Sequence, residues 1–289
     1  MFSALKDKEL FDVIIYNAPF HGNEPQDDLE RGVSDFDYQG LRKFFSEATS
    51  FLKKDGEILL AFSDTGDLDL LKSLIIENKL LLQELKQETK EGWTCLLFRL
   101  TKIHFNNIYQ EYIYNDDHYW FKQYKKYVIS GNILKVGAGL GYASYFISLF
   151  NRSITTLDVV NNNTIKSDLV TLYDGKTFPY PDNHFNVVIC SYTLHHIKEQ
   201  DRVFFEMHRV TKKTVLLIEE IYENFFRHIK LIYVCWSMNR KTGQKVKIYF
   251  NKYYSQERID EIISNYKLKV VNTAKQKSPS MAKFFVLEK

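Results

Sequence analysis

Apolar and polar positions alternate in short runs that switch between strand-like and helix-like spacing along the whole chain. Ile133, Leu134 and Val136 form an apolar run that meets glycines at alternate positions, Gly137, Gly139 and Gly141. An amphipathic segment follows, then a second apolar run that ends in Asp158. The pattern predicts strand, glycine turn, helix, strand and carboxylate in that order. Further strands are predicted over Leu169 to Tyr173, Phe185 to Ser191, Thr214 to Ile218 and Ala282 to Leu287. Between them lie an Asp174-Gly175 turn, a loop punctuated by Pro179 and Pro181, and a helix over Asp201 to Val210. The first hundred residues repeat part of this order, with strands over Phe11 to Asn17, Glu57 to Phe62 and Thr94 to Leu100 and a helix around Leu41 to Leu52. Strands interleaved with helices imply an α/β fold.

Glycine is required where backbone turns tightly and approaches a ligand with no Cβ in the way. A dinucleotide turn has the spacing G-x-G-x-x-G, whereas here Tyr142 stands where its third glycine would be. Gly175-Lys176-Thr177 follows a strand, but Val170 stands where a P-loop needs its first glycine, so a P-loop is not expected. The bland alternative is a tight strand-to-helix turn with no ligand. An acid at the end of the second strand is placed to accept hydrogen bonds from ribose hydroxyls.

G-x-G-x-G followed by Asp158 resembles motif I of the class I S-adenosylmethionine (SAM) methyltransferases. Over about thirty residues, Val170 to Ile197 (VTLYDGKTFPYPDNHFNVVICSYTLHHI) resembles the strand, acid, "LPFPDNSFDVV", strand and "LHH" sequence of that family. The stretch from about Asn132 to Lys289 resembles its methyltransferase type 11 branch. The resemblance implies a Rossmann-like seven-stranded sheet in the C-terminal part and SAM as cofactor. It implies that Gly137, Gly139 and Gly141 face the methionine part, that Asp158 and Val159 meet the ribose, and that Asp174 and Gly175 meet the adenine. It also places the first histidine of "LHH", His195, at the methyl acceptor. Its unperturbed pKa near 6.5 suits a proton acceptor at neutral pH. Tyr192, His196 and Glu219 are further candidates for the acceptor pocket.

Two positions depart from the family pattern. Lys135 stands where an acid usually precedes the first glycine, and Asn186 stands where an aspartate usually opens the fourth strand. A lysine there puts a cation near the SAM ammonium. At about 4 Å and an effective dielectric near 20 two such charges repel by roughly 4 kcal/mol, unless the long stem carries the amine to water. A catalytically degenerate copy that serves as a binding or interaction module is therefore the second reading.

Residues 1–103 are expected to form a half-domain of the same fold type. Asn17-Ala18-Pro19-Phe20 after the first strand resembles the Asn-Pro-Pro-Phe/Tyr motif of methyltransferases that act on planar amino nitrogens. An ordinary Asn/Pro turn is the alternative. The ten residues before Phe11 hold no glycine turn, so the segment reads as a truncated internal repeat ahead of a complete domain over residues 104–289. Val13 to Tyr16 would then expose an apolar strand edge, to be covered by the second domain, a second copy or a partner protein.

Composition narrows the rest. The chain of 289 residues is 45% hydrophobic and 26% charged, ordinary for a soluble globular protein. Cys95, Cys190 and Cys235 are far apart and form no CxxC, so thiols in a reducing compartment are expected and no metal site is. MFSALKDKELF lacks a long apolar core and no apolar run reaches spanning length, which makes the cytoplasm the expected location. Residues 1–103 carry 13 Lys/Arg against 19 Asp/Glu, net −6, and the remainder 26 against 17, net +9. The basic excess lies at Lys212, Lys213, Arg227, Lys230, Arg240, Lys241, Lys245 and Lys247. A solvated face accounts for it without a nucleic-acid partner.

Residues 104–130 are rich in aromatics, and Trp120, Tyr124 and Tyr127 follow helical spacing, which points to core packing and domain docking. The apolar segment within 221–238 is read as a helix, either a core helix or a wall for an apolar substrate in contact with a lipid surface. A last helix is predicted with Ser255 as its N-cap. Together these features point to SAM-dependent methyl transfer to an unidentified small-molecule acceptor.

Overall fold

A strand with apolar residues on one side must bury that side, and both parts of the chain do so by packing helices on a sheet. The computed structural model describes residues 2, 9–28, 30–90, 92–165, 170–244, 246–276 and 282–289. Leu169 and Lys245, named above, lie outside the described residues. The chain divides into two units, Met1–His104 and Phe105–Lys289.

The first unit runs β1 (Phe11–Asn17), α1 (Gln39–Ala48), β2 (Leu52–Ser63), α2 (Leu68–Glu77), β3 (Leu80–Lys90) and β4 (Trp93–Lys102). Its strands lie in the order β1-β2-β4-β3, with β1 parallel to β2 and the other pairs antiparallel. Leu41, Phe44, Phe45 and Ala48 recur at i, i+3, i+4 and i+7, so one stripe of α1 is buried against Ile58, Leu60 and Phe62, the inward side of β2. The helix ends at Ala48, earlier than its spacing predicts, because Leu52 already pairs with Phe11 at the start of β2. β1 is an edge strand of this sheet, with Val13 and Ile15 exposed, Ile15 by 77%. Beyond it Asn17 is exposed, the Ala18 amide donates to the Ala61 carbonyl, and Phe20 stacks on Trp93.

The second unit starts with α3 (Ile108–Val128), whose N-terminus is capped by the Asn107 side chain. It continues β5 (Ile133–Val136), α4 (Tyr142–Phe150), β6 (Ile154–Asp158), β7 (Val170–Leu172), β8 (Phe185–Ser191), α5 (Gln200–Val210), β9 (Thr211–Glu220), α6 (Phe225–Thr242), α7 (Gln256–Asn265), β10 (Lys269–Lys275) and β11 (Ala282–Glu288). These strands form one seven-stranded sheet, β10-β11-β9-β8-β5-β6-β7. β9, β8, β5, β6 and β7 run parallel, and β11 runs against both β9 and β10. This is a Rossmann-like α/β arrangement. Chain order reverses direction at β5 and β8, so the crevice at their carboxyl ends is the switch point where such sheets bind ligands. Among the described residues no helix is long and apolar enough to cross a membrane.

The aromatic stretch is resolved as core. Tyr114, Trp120, Phe121 and Tyr124 are buried, whereas Tyr127 is half-buried. Trp120 also donates its indole N–H to the Tyr192 hydroxyl at 2.8 Å. Asn186 proves to be a turn-holder, because its side-chain oxygen accepts the Asn132 amide at 2.9 Å. The preceding Gly131 has φ +77°, and a Cβ there would meet Asn186 at 2.7 Å. The predicted N-cap is found, with the Ser255 hydroxyl accepting the Arg258 amide at the start of α7.

Trp120→Ala is expected to lower stability by about 3–5 kcal/mol in urea unfolding, from lost volume and the lost hydrogen bond to Tyr192. Trp120→Phe should lose less, and an alanine variant of wild-type stability would contradict this packing role.

Candidate active site

The turn after β5 opens one wall of a cleft of about 1080 Å³ in the second unit. Gly137 has φ +77°, and a Cβ on it would sit 2.1 Å from Thr193 Oγ1, so only glycine fits between β5 and the turn after β8. Gly139 has φ +54° and a Cβ there would meet nothing within 4 Å. Its backbone is bare toward the cleft it lines. Gly141 starts α4 with φ +93°.

Asp158, at the end of β6, lines the same cleft. Its Oδ2 accepts the Ala138 amide at 2.7 Å, and its Oδ1 accepts those of Val159 and Val160 at 2.7 and 3.3 Å. These bonds tie the glycine turn to the second strand and leave one lone pair of Oδ2 for a ligand. Asp174, past β7, uses Oδ1 for the Lys176 and Thr177 amides at 2.8 and 2.9 Å. Those two amides hold its carboxyl below the usual range. Its Oδ2 takes part in neither bond. Val159 and Gly175 also line the cleft, with Val159 Cγ1 3.3 Å from where a Gly175 Cβ would be.

Lys135 does not carry its charge to water. It is 3% exposed, and its ammonium donates to the carbonyls of Gly137 and Val136 at 2.7 and 3.2 Å. Burial pushes its pKa down, and the nearby Cys190, Asp117, Asp158 and Glu219 oppose that. An acid from α3 lies near it. Asp117 lines the cleft beside it and accepts the Ala143 amide in the first turn of α4. Burial raises the Asp117 carboxyl to about 7, with Asp116 raising it further and Lys135 opposing. Glu220 lines the cleft as well and is pushed up to about 7, chiefly by burial. Asp116 accepts from Gln276 at 2.9 Å and shares a hydrogen bond with Tyr192.

The largest departure from expectation concerns Glu219 and His195. Successive residues of a strand face opposite sides, so of the two acids ending β9 only Glu220 reaches the cleft. Glu219 is wholly buried rather than in the acceptor pocket. Its Oε1 accepts the Thr193 and Leu194 amides at 2.9 and 2.7 Å, and its Oε2 faces His195 Nδ1 at 2.7 Å. Burial opposes a charged imidazole, but the charge and hydrogen bond of Glu219 and the contact with Cys235 outweigh it and hold His195 up at about 10. Its Nδ1 is committed to Glu219, which leaves Nε2 as the ring nitrogen turned toward Cys235. His195 nevertheless lines the cleft, 3% exposed, with Tyr253 stacked on it at 4.8 Å. His196 lines it too, with Nδ1 2.7 Å from the Lys247 carbonyl. Burial and the neighbouring His195 push its pKa down to about 3. Tyr192, at φ +50°, turns the chain between β8 and this pair.

Asp116, Asp117, Glu220 and Cys235 carry no motif and were missed by sequence reasoning. Adjacent acids inside an aromatic helix were the one available signal for the first two. Cys235 reaches the histidines only because α6 folds back over the carboxyl ends of the strands, with Leu231, Val234 and Met238 also lining the cleft.

A parallel sheet with a glycine turn and acids at its switch point is an arrangement that suits a nucleotide-type ligand. Residues 134–218, within the second unit, match the family model described as methyltransferase domain, and S-adenosylmethionine is the cofactor such a domain implies. No curated protein sequence matches the chain. Among solved structures, a SAM-dependent methyltransferase from Aquifex aeolicus is 16% identical, covers 58% of this chain and 87% of its own, and has a TM-score of 0.42. A SAM-dependent methyltransferase from Mesorhizobium loti is 10% identical, with 56% and 93% covered and a TM-score of 0.42. The YcgJ protein of Bacillus subtilis is 12% identical, with 59% and 95% covered and a TM-score of 0.43.

Asp117 generates a pH dependence. With its pKa raised in the fold, the native chain retains a proton that the unfolded chain releases between about pH 4 and pH 7, so its contribution to stability falls as pH rises through that window. Asp117→Asn removes the term. Thermal melts should show the variant gaining on wild type between about pH 5 and pH 8, and an equal offset at both pH values would refute the assignment.

Proposed function

We propose that the second unit transfers a methyl group from SAM to a small-molecule acceptor in the cytoplasm. The observation that carries this is one cleft on which the bare Gly139 turn, Asp158 and Asp174 all open. Its volume of about 1080 Å³ lies at the upper end of the roughly 300–1,000 Å³ usual for one small ligand, which leaves room for a second reactant. The residues present fit the cofactor. Asp158 would accept from the ribose, Asp174 from the adenine amino group, and the Gly137 to Gly141 turn would take the methionine part. Asp117 would offer the ammonium the carboxyl that Lys135 does not. Bound SAM supplies an electrophilic methyl group on a sulfonium that is already a good leaving group. What remains for the chain is to orient the acceptor and exclude water. Leu231, Val234 and Met238 of α6 form an apolar wall for it beside His195 and His196.

Calorimetry tests the reading. Folded wild-type protein should bind SAM, and Asp158→Asn should weaken binding by at least about tenfold, since a hydrogen bond to a charged group contributes about 1.5–3 kcal/mol. Absence of heat with folded wild type would leave the non-catalytic interaction module as the better reading.

The outer side of α6 supports a lipid-surface partner. Phe226 is 83% exposed and Phe225, Tyr233 and Trp236 are exposed with it, while Arg227, Lys230, Arg240 and Lys241 add cations to the same helix. Such a helix lies in a membrane interface without spanning it. Co-sedimentation with anionic phospholipid vesicles should be observed and should fall sharply in a Phe226→Asp, Trp236→Asp variant. Wild-type protein left in the supernatant would sink this part.

A further inference from the structure

We infer that the second unit holds a divalent transition-metal ion of the zinc type on His195, His196 and Cys235. One ligand atom from each lies within 4.8 Å of the others. Cys235 Sγ is 3.8 Å from His195 Nε2 and 3.6 Å from His196 Nε2. A tetrahedral zinc, with Zn–N about 2.0–2.1 Å and Zn–S about 2.3 Å, sets sulfur-to-nitrogen edges of about 3.6 Å.

The orientation of both rings carries the argument further. A metal-binding imidazole donates its other N–H to a carboxylate or a backbone carbonyl, which fixes the tautomer and aims the free nitrogen. Here both rings do so, His195 Nδ1 to Glu219 Oε2 and His196 Nδ1 to the Lys247 carbonyl, each at 2.7 Å. Both Nε2 atoms are thereby turned to the sulfur. The sulfur has its own support, a hydrogen bond from Asn239 Nδ2 at 3.4 Å. Tyr253 stacks on His195, and its buried hydroxyl lies beside Cys235.

Two imidazoles and a thiolate suit zinc and its borderline neighbours, and not magnesium or calcium, which take oxygen. Three protein ligands leave a fourth position, and all three residues line the cleft, so that position opens on it. An acceptor thiol or hydroxyl reaching it would lose its proton to water more readily. That last role rests on the proposed methyl transfer, whereas the metal site does not.

The test uses the full chain, stripped with a chelator and titrated with Co2+ in the absence of SAM. About one equivalent should bind, with the visible bands of four-coordinate cobalt and a near-ultraviolet thiolate-to-cobalt charge-transfer band. The charge-transfer band should vanish in Cys235→Ser and persist in Cys95→Ser. His196→Ala should bind Co2+ at least about tenfold more weakly. Circular dichroism checks the fold of each variant. No charge-transfer band in folded wild type, or one that survives in folded Cys235→Ser, overturns the site. If Cys235→Ser does not fold, unchanged cobalt affinity in His196→Ala overturns it instead. Because no readout involves SAM, failure here is distinct from failure of the methyl-transfer reading.

Discussion

The buried carboxylate of Glu219 organises the functional end of the second unit. A carboxylate taken out of water is costly unless its oxygens are filled, and Glu219 fills them with two amides of one turn and one imidazole. The bonds join the end of β9 to the turn that follows β8. They also fix the plane of His195, and through it the packing of Tyr253. The strand periodicity that sends Glu219 inward sends Glu220 the other way, into the cleft. One buried acid thus determines the placing of the residues on either side of it.

A second constraint comes from the crowding between β5 and the same turn. Thr193 fills the space a Gly137 side chain would need, so the side chain of the turn after β8 packs directly on the backbone of the glycine turn. The cleft is lined by this turn and by residues of α3 and α6. Lys135 donates to the carbonyls of Val136 and Gly137 at the start of the glycine turn.

How much of this was legible in the sequence follows from the range of each interaction. The strands β5, β6, β8, β9 and β11, the glycine turn and the positions of Asp158 and Asp174 were readable because each depends on a few consecutive residues, whereas β3, β10 and α2 were not predicted. The direction of a side chain was not. Lys135 could swing to solvent or turn under the strand, and only the neighbouring carbonyls decide. Glu219 and Glu220 are chemically equivalent in a sequence and opposite in a strand. Cys235 was the least legible, because forty residues and a helix separate it from His195. Its place depends on how α6 crosses the strand ends, for which no local pattern codes.

The sheet of the first unit has the same strand order and directions as β8, β9, β11 and β10 of the second. Four strands of this kind bury a layer of helices by themselves, as α1 and α2 show. Among the described residues no strand pairs with the outer side of β1, where the larger sheet places β5 and its glycines. A switch-point crevice is thus the product of a junction, and half a sheet has its rim without its floor. The Asn17 to Phe20 turn follows β1 at such a rim.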